Sequence, residues 1–310
     1  MWKYPVSPEL VAPAIDLGRL KLDGFIVRAL GALIRLDARL FAAPRGTRLT
    51  RTSIPGYRDA RLACVVIEPD PPVRDAPGIL YFHGGGFVFP TQTLMLGNAA
   101  AFALGAGATV ILPEYRLAID FPFSAPAEDC YASLLWAVQN AETLGIDPAR
   151  IILYGESAGG CLAAAVTLMA KDRGGPEIRS QMLVYPVTDS SQTGESLKTY
   201  SEGLWPASAN RRMWELYMRN GDFGMPGYAS PLQAENLGGL PPAYIELAEI
   251  DSLFSEGQAY ARRLEASGCE VTVDTIPGAF HGWDMERGSP LTKRVLARRC
   301  SYIDSVTKLV

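Results

Sequence analysis

One serine lies in a five-residue pattern that can carry nucleophilic chemistry. Ser157 is the central residue of Gly155-Glu156-Ser157-Ala158-Gly159, which fits G-x-S-x-G. An apolar run typical of a β-strand precedes the pattern, and an Ala-rich run typical of a helix follows it. Such a turn strains the serine backbone and places the side chain beside the positive end of the helix dipole. The pattern predicts a nucleophile; the alternative is a tight turn whose serine only caps the helix.

A glycine-rich segment upstream can supply hydrogen-bond donors to an oxyanion. The segment is His83-Gly84-Gly85-Gly86-Phe87, and it also follows a strand-like run. Three glycines leave their backbone N–H groups unobstructed, and acyl transfer needs such donors, each typically contributing about 10²–10³-fold to the rate. Two alternatives are a loop without chemical use and a phosphate cradle, although the Lys-Ser/Thr of a P-loop is missing.

The choice of a general base is narrow because the chain contains only two histidines, His83 and His281. His83 is part of the glycine-rich segment. His281 lies in a turn-rich loop, Pro277 to Trp283, just after the last predicted strand. If Ser157 is a nucleophile, it needs a neighbouring base. We therefore predict that His281 is that base.

The acid that orients the base is expected between the serine and the histidine in the chain. Asp251 comes just beyond a predicted strand over 243–247. Glu249 is a local competitor, and Glu246 lies inside the strand, which makes it a poorer candidate. We favour Asp251, whose role would be to hold the correct His281 tautomer and stabilise the imidazolium.

Several other residues have weaker functional patterns. Aromatic residues are core residues by default, but Phe87, Trp205 and Trp283 are candidates to line an acyl pocket. Cys161 lies one helical turn after Ser157 and is expected to serve packing. Arg116 is expected to pair with Glu128 or Asp129 near the site.

Apolar runs alternate with helical patterns along most of the chain. This alternation predicts an α/β fold with a mostly parallel sheet covered by helices on both faces. The predicted strands cover 61–68, 78–82, 108–112, 151–154, 182–185, 243–247 and 271–276. The predicted helices cover 127–140, 158–172, 255–267 and 291–309.

Two segments fall outside this alternation. Residues 7–41 have helical features, with a one-sided apolar face that includes Phe25, Leu33 and Leu40 and must pack on something. Residues 189–228 interrupt the pattern after a strand end, where α/β proteins place their sites. We predict N-terminal cap helices over 1–47, a catalytic domain over 48–188 and 229–310, and a cap insertion over 189–228.

Composition excludes several classes of protein. The chain has 310 residues, 48% of them hydrophobic, and a formal net charge of −4. This mild acidity argues against nucleic acid as a partner. Five widely spaced cysteines indicate a reducing compartment, and we expect a cytoplasmic protein without a stable membrane anchor. No motif indicates a metal or a dinucleotide, so no cofactor is expected.

Taken together, the motifs resemble those of the bacterial hormone-sensitive-lipase-like carboxylesterases of the α/β-hydrolase fold. Besides the two glycine motifs, the matches are Tyr115-Arg116-Leu117-Ala118, Pro126-Ala127-Glu128-Asp129, Ser230-Pro231-Leu232, Gly239 to Ala243, Asp251-Ser252-Leu253 and Pro277 to Gly282. They run in the family's order from about residue 76 to 284. The sequence departs from the family pattern at three positions. Glu156 replaces the usual Asp or Thr, Ser252 replaces the usual Pro, and Trp283 replaces the common Phe.

The resemblance implies a serine carboxylesterase acting on small-molecule, short-chain acyl esters. Ser157, Asp251 and His281 would form the triad, and the N–H groups of Gly85, Gly86 and Ala158 the oxyanion hole. It also indicates a homodimer, formed through the last strand and its helix. The competing interpretations are a ligand-binding protein on the same scaffold and another hydrolase, namely an amidase, a lactonase or a long-chain lipase.

Overall fold

One eight-stranded sheet organises the computed structural model, which describes residues 3–11 and 16–308. The strands are β1 (Thr47–Pro55), β2 (Arg61–Pro69), β3 (Ala76–Phe82), β4 (Thr109–Pro113), β5 (Ile146–Glu156), β6 (Ser180–Val184), β7 (Ala243–Ile250) and β8 (Val271–Phe280). Their order in the sheet is β1-β2-β4-β3-β5-β6-β7-β8.

The six strands from β3 to β8 run parallel to one another, while β2 is antiparallel to both of its neighbours, β1 and β4. Because parallel strands end at the same edge of a sheet, the loops after β3, β5, β7 and β8 lie close together. This confirms the mostly parallel sheet that the alternating pattern predicts.

Ten α-helices occur within the described residues. They are α1 (Phe25–Leu40), α2 (Thr93–Ala106), α3 (Ala125–Gln139), α4 (Ala141–Leu144), α5 (Ala158–Asp172), α6 (Glu195–Thr199), α7 (Ala207–Tyr217), α8 (Pro226–Ala229), α9 (Phe254–Ala266) and α10 (Pro290–Thr307). Alternate strand residues face opposite sides of the sheet. Leu80 and Phe82 pack in the core that holds α3, α5 and α9, and Ile79 and Tyr81 in the core that holds α2 and α10.

Besides the short helices α4, α6 and α8, the sequence pattern does not predict two longer elements, β1 and α2. Strand β1 lies at the sheet edge, and most of its residues are exposed, so its sequence lacks an apolar run. Helix α2 is buried nearly all round, from Met95 to Ala103, so its sequence shows no polar face. In both cases the local pattern is set by the position of the element in the fold.

The N-terminal segment differs from its prediction. Ser7 to Leu10 forms a turn, closed by the Leu10 N–H donating to the Ser7 carbonyl at 2.9 Å, and α1 begins only at Phe25. The apolar face is expected to pack on something, but no described residue covers it at Phe25, Leu33 and Leu40, which are largely exposed. Residues 1–2 and 12–15 of the predicted cap, and residues 309–310 after α10, lie outside the described residues.

The segment 189–228 holds α6, α7 and the start of α8, and it contacts the N-terminal segment. The Leu17 N–H donates to the Leu204 carbonyl at 3.3 Å, and Arg212 donates to the Gly18 carbonyl. The division into two cap pieces and a catalytic domain stays a prediction. No helix of the described residues has the length and apolarity needed to cross a bilayer.

A buried carboxylate joins the loop after β4 to α3. Asp129 is fully buried and accepts from the Arg116 backbone N–H and guanidinium at 2.8–3.1 Å, and from the Tyr57 N–H at 2.9 Å. Glu128, one residue earlier, pairs instead with Arg173 near the surface. Of the two partners that the sequence left open for Arg116, the structure selects Asp129.

Replacing these two neighbouring carboxylates is expected to have unequal effects. Asp129→Ala leaves a partly buried guanidinium and two N–H groups without an acceptor, so we expect it to lower the free energy of unfolding by about 3 kcal/mol. Glu128→Ala removes a more exposed pair and is expected to cost about 1 kcal/mol or less. Urea unfolding of both variants measures the difference. Equal losses would contradict the assigned pairing.

Candidate active site

Ser157 occupies a strained turn between β5 and α5. Its φ of 55° and ψ of −119° are a conformation that side-chain-bearing residues rarely adopt. Backbone hydrogen bonds hold it there: its N–H donates to the Val184 carbonyl at 2.9 Å, and its carbonyl accepts from Val187 at 3.1 Å. A Cβ on Gly159 would lie 1.9 Å from the Phe82 carbonyl oxygen, so only glycine fits this crossing. The serine side chain makes no capping hydrogen bond.

The side chains of Ser157, His281 and Asp251 form a continuous hydrogen-bonded chain. The Ser157 Oγ lies 2.8 Å from the His281 Nε2, and the His281 Nδ1 lies 2.7 Å from the Asp251 Oδ2. A carboxylate oxygen can only accept, so the Nδ1 carries a proton, and the neutral ring leaves its Nε2 free to accept from the serine hydroxyl. All three residues are buried. The arrangement can withdraw a proton from Ser157.

The loop after β7 selects Asp251 among the three candidate acids. The Asp251 Oδ1 accepts from the Leu253 N–H at 3.0 Å, which fixes the carboxylate toward His281. Glu249 instead accepts from the Gly278 N–H at 2.8 Å, and Glu246 pairs with Arg299. Neither alternative contacts the histidine.

The glycine-rich segment presents backbone N–H groups beside Ser157. Gly85 and Gly86 have φ values of 104° and 60°. No acceptor in the described part of the chain takes a hydrogen bond from either N–H. A Cβ on Gly86 would lie 2.3 Å from the Trp205 ring, so the close approach requires glycine. Ala158 is the first residue of α5, where the N–H has no partner within the helix.

His83 contacts the backbone of this segment and a neighbouring tyrosine. Its Nδ1 donates to the Gly84 carbonyl at 2.9 Å, and its ring stacks on Tyr115 at 4.0 Å. The Tyr115 hydroxyl donates to the His83 carbonyl at 2.8 Å. Burial lowers the pKa of His83 below its usual value, which favours a neutral ring. His83 therefore holds the glycine loop in place.

A mostly apolar cavity of about 280 Å³ opens above the serine. Its lining side chains come from α1 and the segment before it, from the loop after β3 and the start of α2, from the residue after β6, from the segment 189–228 and from the loop after β8. They are Leu17, Leu20, Leu30, Ile34, Phe89, Gln92, Leu94, Met95, Tyr185, Leu204, Trp205 and Met285. The sequence predicted Trp205 but none of the other lining side chains. Tyr185 directly follows β6, and its ring lies edge-on to His281 with the ring centroids 5.0 Å apart. It could have been found as an aromatic residue at a strand end.

Two of the predicted pocket residues lie outside this cavity. Phe87 is fully buried and stacks on Tyr217 of α7, with ring centroids 3.9 Å apart. Trp283 is buried in the core that α2 and α10 cover. Both follow chemically important residues, but their side chains turn toward the core. Cys161 is also buried and contacts the Ala229 carbonyl, as expected for packing.

Beneath Ser157, three buried carboxyl groups surround a single guanidinium. Arg299 of α10 donates to Glu246 at 2.6 and 2.9 Å and to Asp284 at 3.0 Å. Glu156, the residue before the serine, accepts from Tyr81 at 2.5 Å and Tyr154 at 2.9 Å. Three further hydrogen bonds belong to the same cluster. Tyr185 donates to Asp284 at 2.6 Å, Arg299 donates to the Tyr154 hydroxyl at 3.2 Å, and Asn98 donates to Glu156 at 3.2 Å.

The cluster has fewer positive than negative groups, and this imbalance changes the pKa of Glu156. Burial, followed by repulsion from Asp284, raises the pKa of Glu156 to about 7. The Arg299 charge and the two tyrosine donors oppose this shift. One buried cation cannot balance three carboxylates, so Glu156 retains a proton at mildly acidic pH.

The comparisons with known proteins agree with this geometry. The alpha/beta hydrolase fold family matches residues 79–285. Esterase LipI of Mycobacterium tuberculosis is 37% identical over 215 residues, 69% of this chain and 67% of the relative. The solved structure of a bacterial heroin esterase has a TM-score of 0.87 and 31% identity, covering 98% of this chain and 99% of that one. This chain belongs to the hormone-sensitive-lipase-like esterases of the α/β-hydrolase fold.

A further relative of this esterase is the ethyl acetate hydrolase of Pseudomonas putida. It is 34% identical over 222 residues, which make up 71% of this chain and 70% of the relative. The named relatives and structural neighbours are ester hydrolases, and the chain is a carboxylic ester hydrolase. The enzyme class predicted from the motifs is thereby confirmed.

The raised pKa of Glu156 predicts a pH dependence of stability. Because the folded pKa of about 7 exceeds the ordinary 4.5, the folded state binds the proton more tightly. Glu156 therefore lowers stability progressively as pH rises through this window, and fully above it. Glu156→Gln retains an acceptor for Tyr81 and Tyr154 without the charge. We expect the Tm of the wild type, relative to this variant, to fall between about pH 5 and pH 8. A constant difference would show that Glu156 does not change protonation there.

Proposed function

We propose that this esterase hydrolyses short-chain acyl esters with Ser157 as nucleophile, His281 as general base and Asp251 as the orienting acid. The observation that carries the proposal is the continuous chain of short contacts, 2.8 Å from Ser157 to His281 and 2.7 Å from His281 to Asp251. It spans three separate loops that the sheet brings to one edge. Ser157 also lies on the cavity wall, where a substrate carbonyl can reach it.

In the first half of the reaction, the Ser157 Oγ attacks the ester carbonyl carbon as the His281 Nε2 takes its proton. The carbonyl oxygen becomes an oxyanion, which the N–H groups of Gly85, Gly86 and Ala158 stabilise. The imidazolium forms next to Asp251, whose carboxylate offsets the new charge. His281 then gives the proton to the leaving alcohol, and an acyl-enzyme remains.

The second half repeats these steps with water as the nucleophile. His281 takes a proton from the water, which attacks the acyl carbon, and the same N–H groups hold the second oxyanion. When this intermediate collapses, the proton returns to the Ser157 Oγ and the carboxylic acid is released. Apart from the ester and water, each step uses a group of this chain.

The preference for short acyl chains follows from the cavity. Its volume of about 280 Å³ is at the low end for cavities that enclose drug-sized ligands, about 300–1,000 Å³. Its walls are largely apolar, which suits an acyl chain and offers few partners to a charged one. The ethyl acetate hydrolase among the relatives is named for a short ester. A ligand-binding role is less favoured because all three triad residues are in contact.

We also propose that the protein is cytoplasmic and forms a homodimer through the edge strand β8 and α10. The first proposal is supported by the five cysteines, all buried and without disulfides. The second is supported by the position of β8 at the sheet edge, where its unpaired backbone groups can meet a second copy. Sedimentation equilibrium tests the dimer, and a monomer at micromolar concentration would contradict it.

The triad assignment predicts a sharp contrast between two neighbouring carboxylates. Asp251→Asn should lower kcat/KM on p-nitrophenyl butyrate by about 10⁴-fold because it stabilises the wrong tautomer of His281. Glu249→Gln, two residues away, should change it less than about threefold, since Glu249 contacts only the Gly278 N–H. Ser157→Ala should be at least as damaging as Asp251→Asn. An active Ser157→Ala enzyme would overturn the mechanism.

The cavity volume predicts a cutoff in acyl-chain length. Initial rates on p-nitrophenyl acetate, butyrate, decanoate and palmitate measure it. We expect kcat/KM to be greatest for acetate or butyrate and to fall by about tenfold or more at decanoate, because the longer chain would extend beyond the cavity into solvent. Equal or higher kcat/KM on palmitate would contradict the short-chain proposal without affecting the triad.

A further inference from the structure

Helix α1 presents a broad apolar stripe that no described residue covers. Its members are Phe25, Ile26, Leu33, Leu36 and Leu40, each between 55% and 84% exposed. At about 100° per residue, these five positions fall within roughly 100° of arc on one side of the helix. Contiguous apolar patches of this kind mark an interaction site more often than isolated exposed side chains do.

The opposite side of α1 is fixed to the body of the protein. Val27 and Gly31 are buried there. Arg28 pairs with Asp120 at 2.8 Å, and Arg51 of β1 donates to the carbonyls of Ala38 and Arg39 in the last turn of α1. The helix is therefore held in place while its apolar stripe faces outward.

Positive charge is concentrated around this stripe. From residue 25 to residue 61 the sequence has eight arginines, no lysine and two aspartates, a net charge of +6, although the whole chain carries −4. Arg28, Arg35 and Arg39 follow the helix beside the apolar stripe, about 40–80° away from Phe25 around the axis. An anionic partner is the complement of this region.

A groove next to α1 gathers the arginines. It has a volume of about 630 Å³ and lies between α1 and the strands β1 and β2. Four of the arginines lining it form no ion pair with any described residue: Arg35, Arg39, Arg51 and Arg61. Glu114 and Asp120 are the acidic residues among the lining. Arg51 and Arg61 also donate to backbone carbonyls, but none of the four guanidinium charges is balanced by a described carboxylate, so the groove can attract phosphate oxygens.

The apolar stripe is continuous with the mouth of the active-site cavity. Leu30 and Ile34, on the adjoining side of α1, line the cavity above Ser157. Leu33 and Ile34 also line a shallow depression beside it, together with Leu94. An apolar molecule resting on the stripe would thus border the entrance to the site.

We propose that α1 docks the esterase on an anionic lipid–water interface. The apolar stripe would enter the acyl boundary, with the arginines of α1 and the groove meeting headgroup phosphates. An amphipathic helix with Phe and Leu on one side and arginines beside them has the composition that lies in the plane of such an interface. One helix of this length gives reversible binding. The cavity mouth would then open where hydrophobic esters accumulate.

Vesicle sedimentation tests this proposal on the full-length protein. Wild type is mixed with vesicles of phosphatidylcholine alone and of phosphatidylcholine with phosphatidylglycerol. The apolar stripe is probed by the double variant Phe25→Asp/Leu36→Asp, which touches neither the cavity nor the triad. Its matched control is Val73→Asp, an exposed apolar residue on a loop. The charge is probed by Arg35→Glu/Arg39→Glu against Arg262→Glu, an arginine of α9.

We expect wild type to bind the phosphatidylglycerol vesicles at least about tenfold more tightly than the neutral ones, with binding weakened by salt. Both α1 variants should bind the phosphatidylglycerol vesicles about tenfold or more weakly than wild type, whereas Val73→Asp and Arg262→Glu should bind them as wild type does. Activity on soluble p-nitrophenyl acetate should be unchanged in the α1 variants. Ser157→Ala should still bind, which separates docking from the proposed mechanism.

Two results would overturn the proposal. One is wild-type binding to phosphatidylglycerol vesicles no stronger than that of the Phe25→Asp/Leu36→Asp variant. The other is a wild-type dimer in light scattering that this variant converts to monomer, without vesicle binding, because the stripe would then join two copies of this chain.

Discussion

The buried guanidinium of Arg299 is the contact on which the active-site edge of the sheet depends. It reaches from α10 to Glu246 on β7, to Asp284 after the His281 loop and to Tyr154 on β5. These segments carry the proposed acid, base and nucleophile. A charge taken from water into the core is stable only when its partners are correctly placed. The cluster therefore ties the three catalytic loops to one another from below.

The strain at Ser157 is carried by the same part of the molecule. A backbone with positive φ and a Cβ persists only where its surroundings over-determine it. Here β6 supplies the acceptor for the serine N–H, and Phe82 at the end of β3 closes over Gly159. Glu156 is held by Tyr81 and Tyr154 immediately before the turn. The energy stored in the turn is thus balanced by packing and hydrogen bonds in the sheet beneath it.

Helix α1 has two different faces: one lines the cavity above Ser157, and the other is exposed to solvent. Leu30 and Ile34 form part of the wall that keeps the cavity small and apolar. A few residues away, Phe25 and Leu40 remain in contact with solvent. A helix that only served as a lid would gain stability by burying these side chains or replacing them with polar ones. These exposed side chains lie on the same helix as the residues that line the cavity.

The sequence by itself determined the fold class, the strands from residue 61 onward, the helices α3, α5, α9 and α10, and the three side chains of the candidate triad. These features depend on local patterns: apolar periodicity, the glycines around Ser157, and the scarcity of histidine. It also indicated the glycine loop of the proposed oxyanion hole. Each such signal is carried by neighbouring residues, so no tertiary information is needed to find it.

Only the tertiary structure decided which side chains face the cavity, which carboxylate meets which cation, and that the apolar stripe of α1 is left uncovered. Phe87 and Trp283 follow catalytic motifs yet turn into the core, whereas Tyr185, Leu204 and Met285 converge on the site from distant segments. The charge cluster draws Glu156, Glu246, Asp284 and Arg299 from four parts of the chain. Contacts of this kind depend on how the elements pack against one another, and the local sequence pattern records only whether a residue is apolar, charged or small.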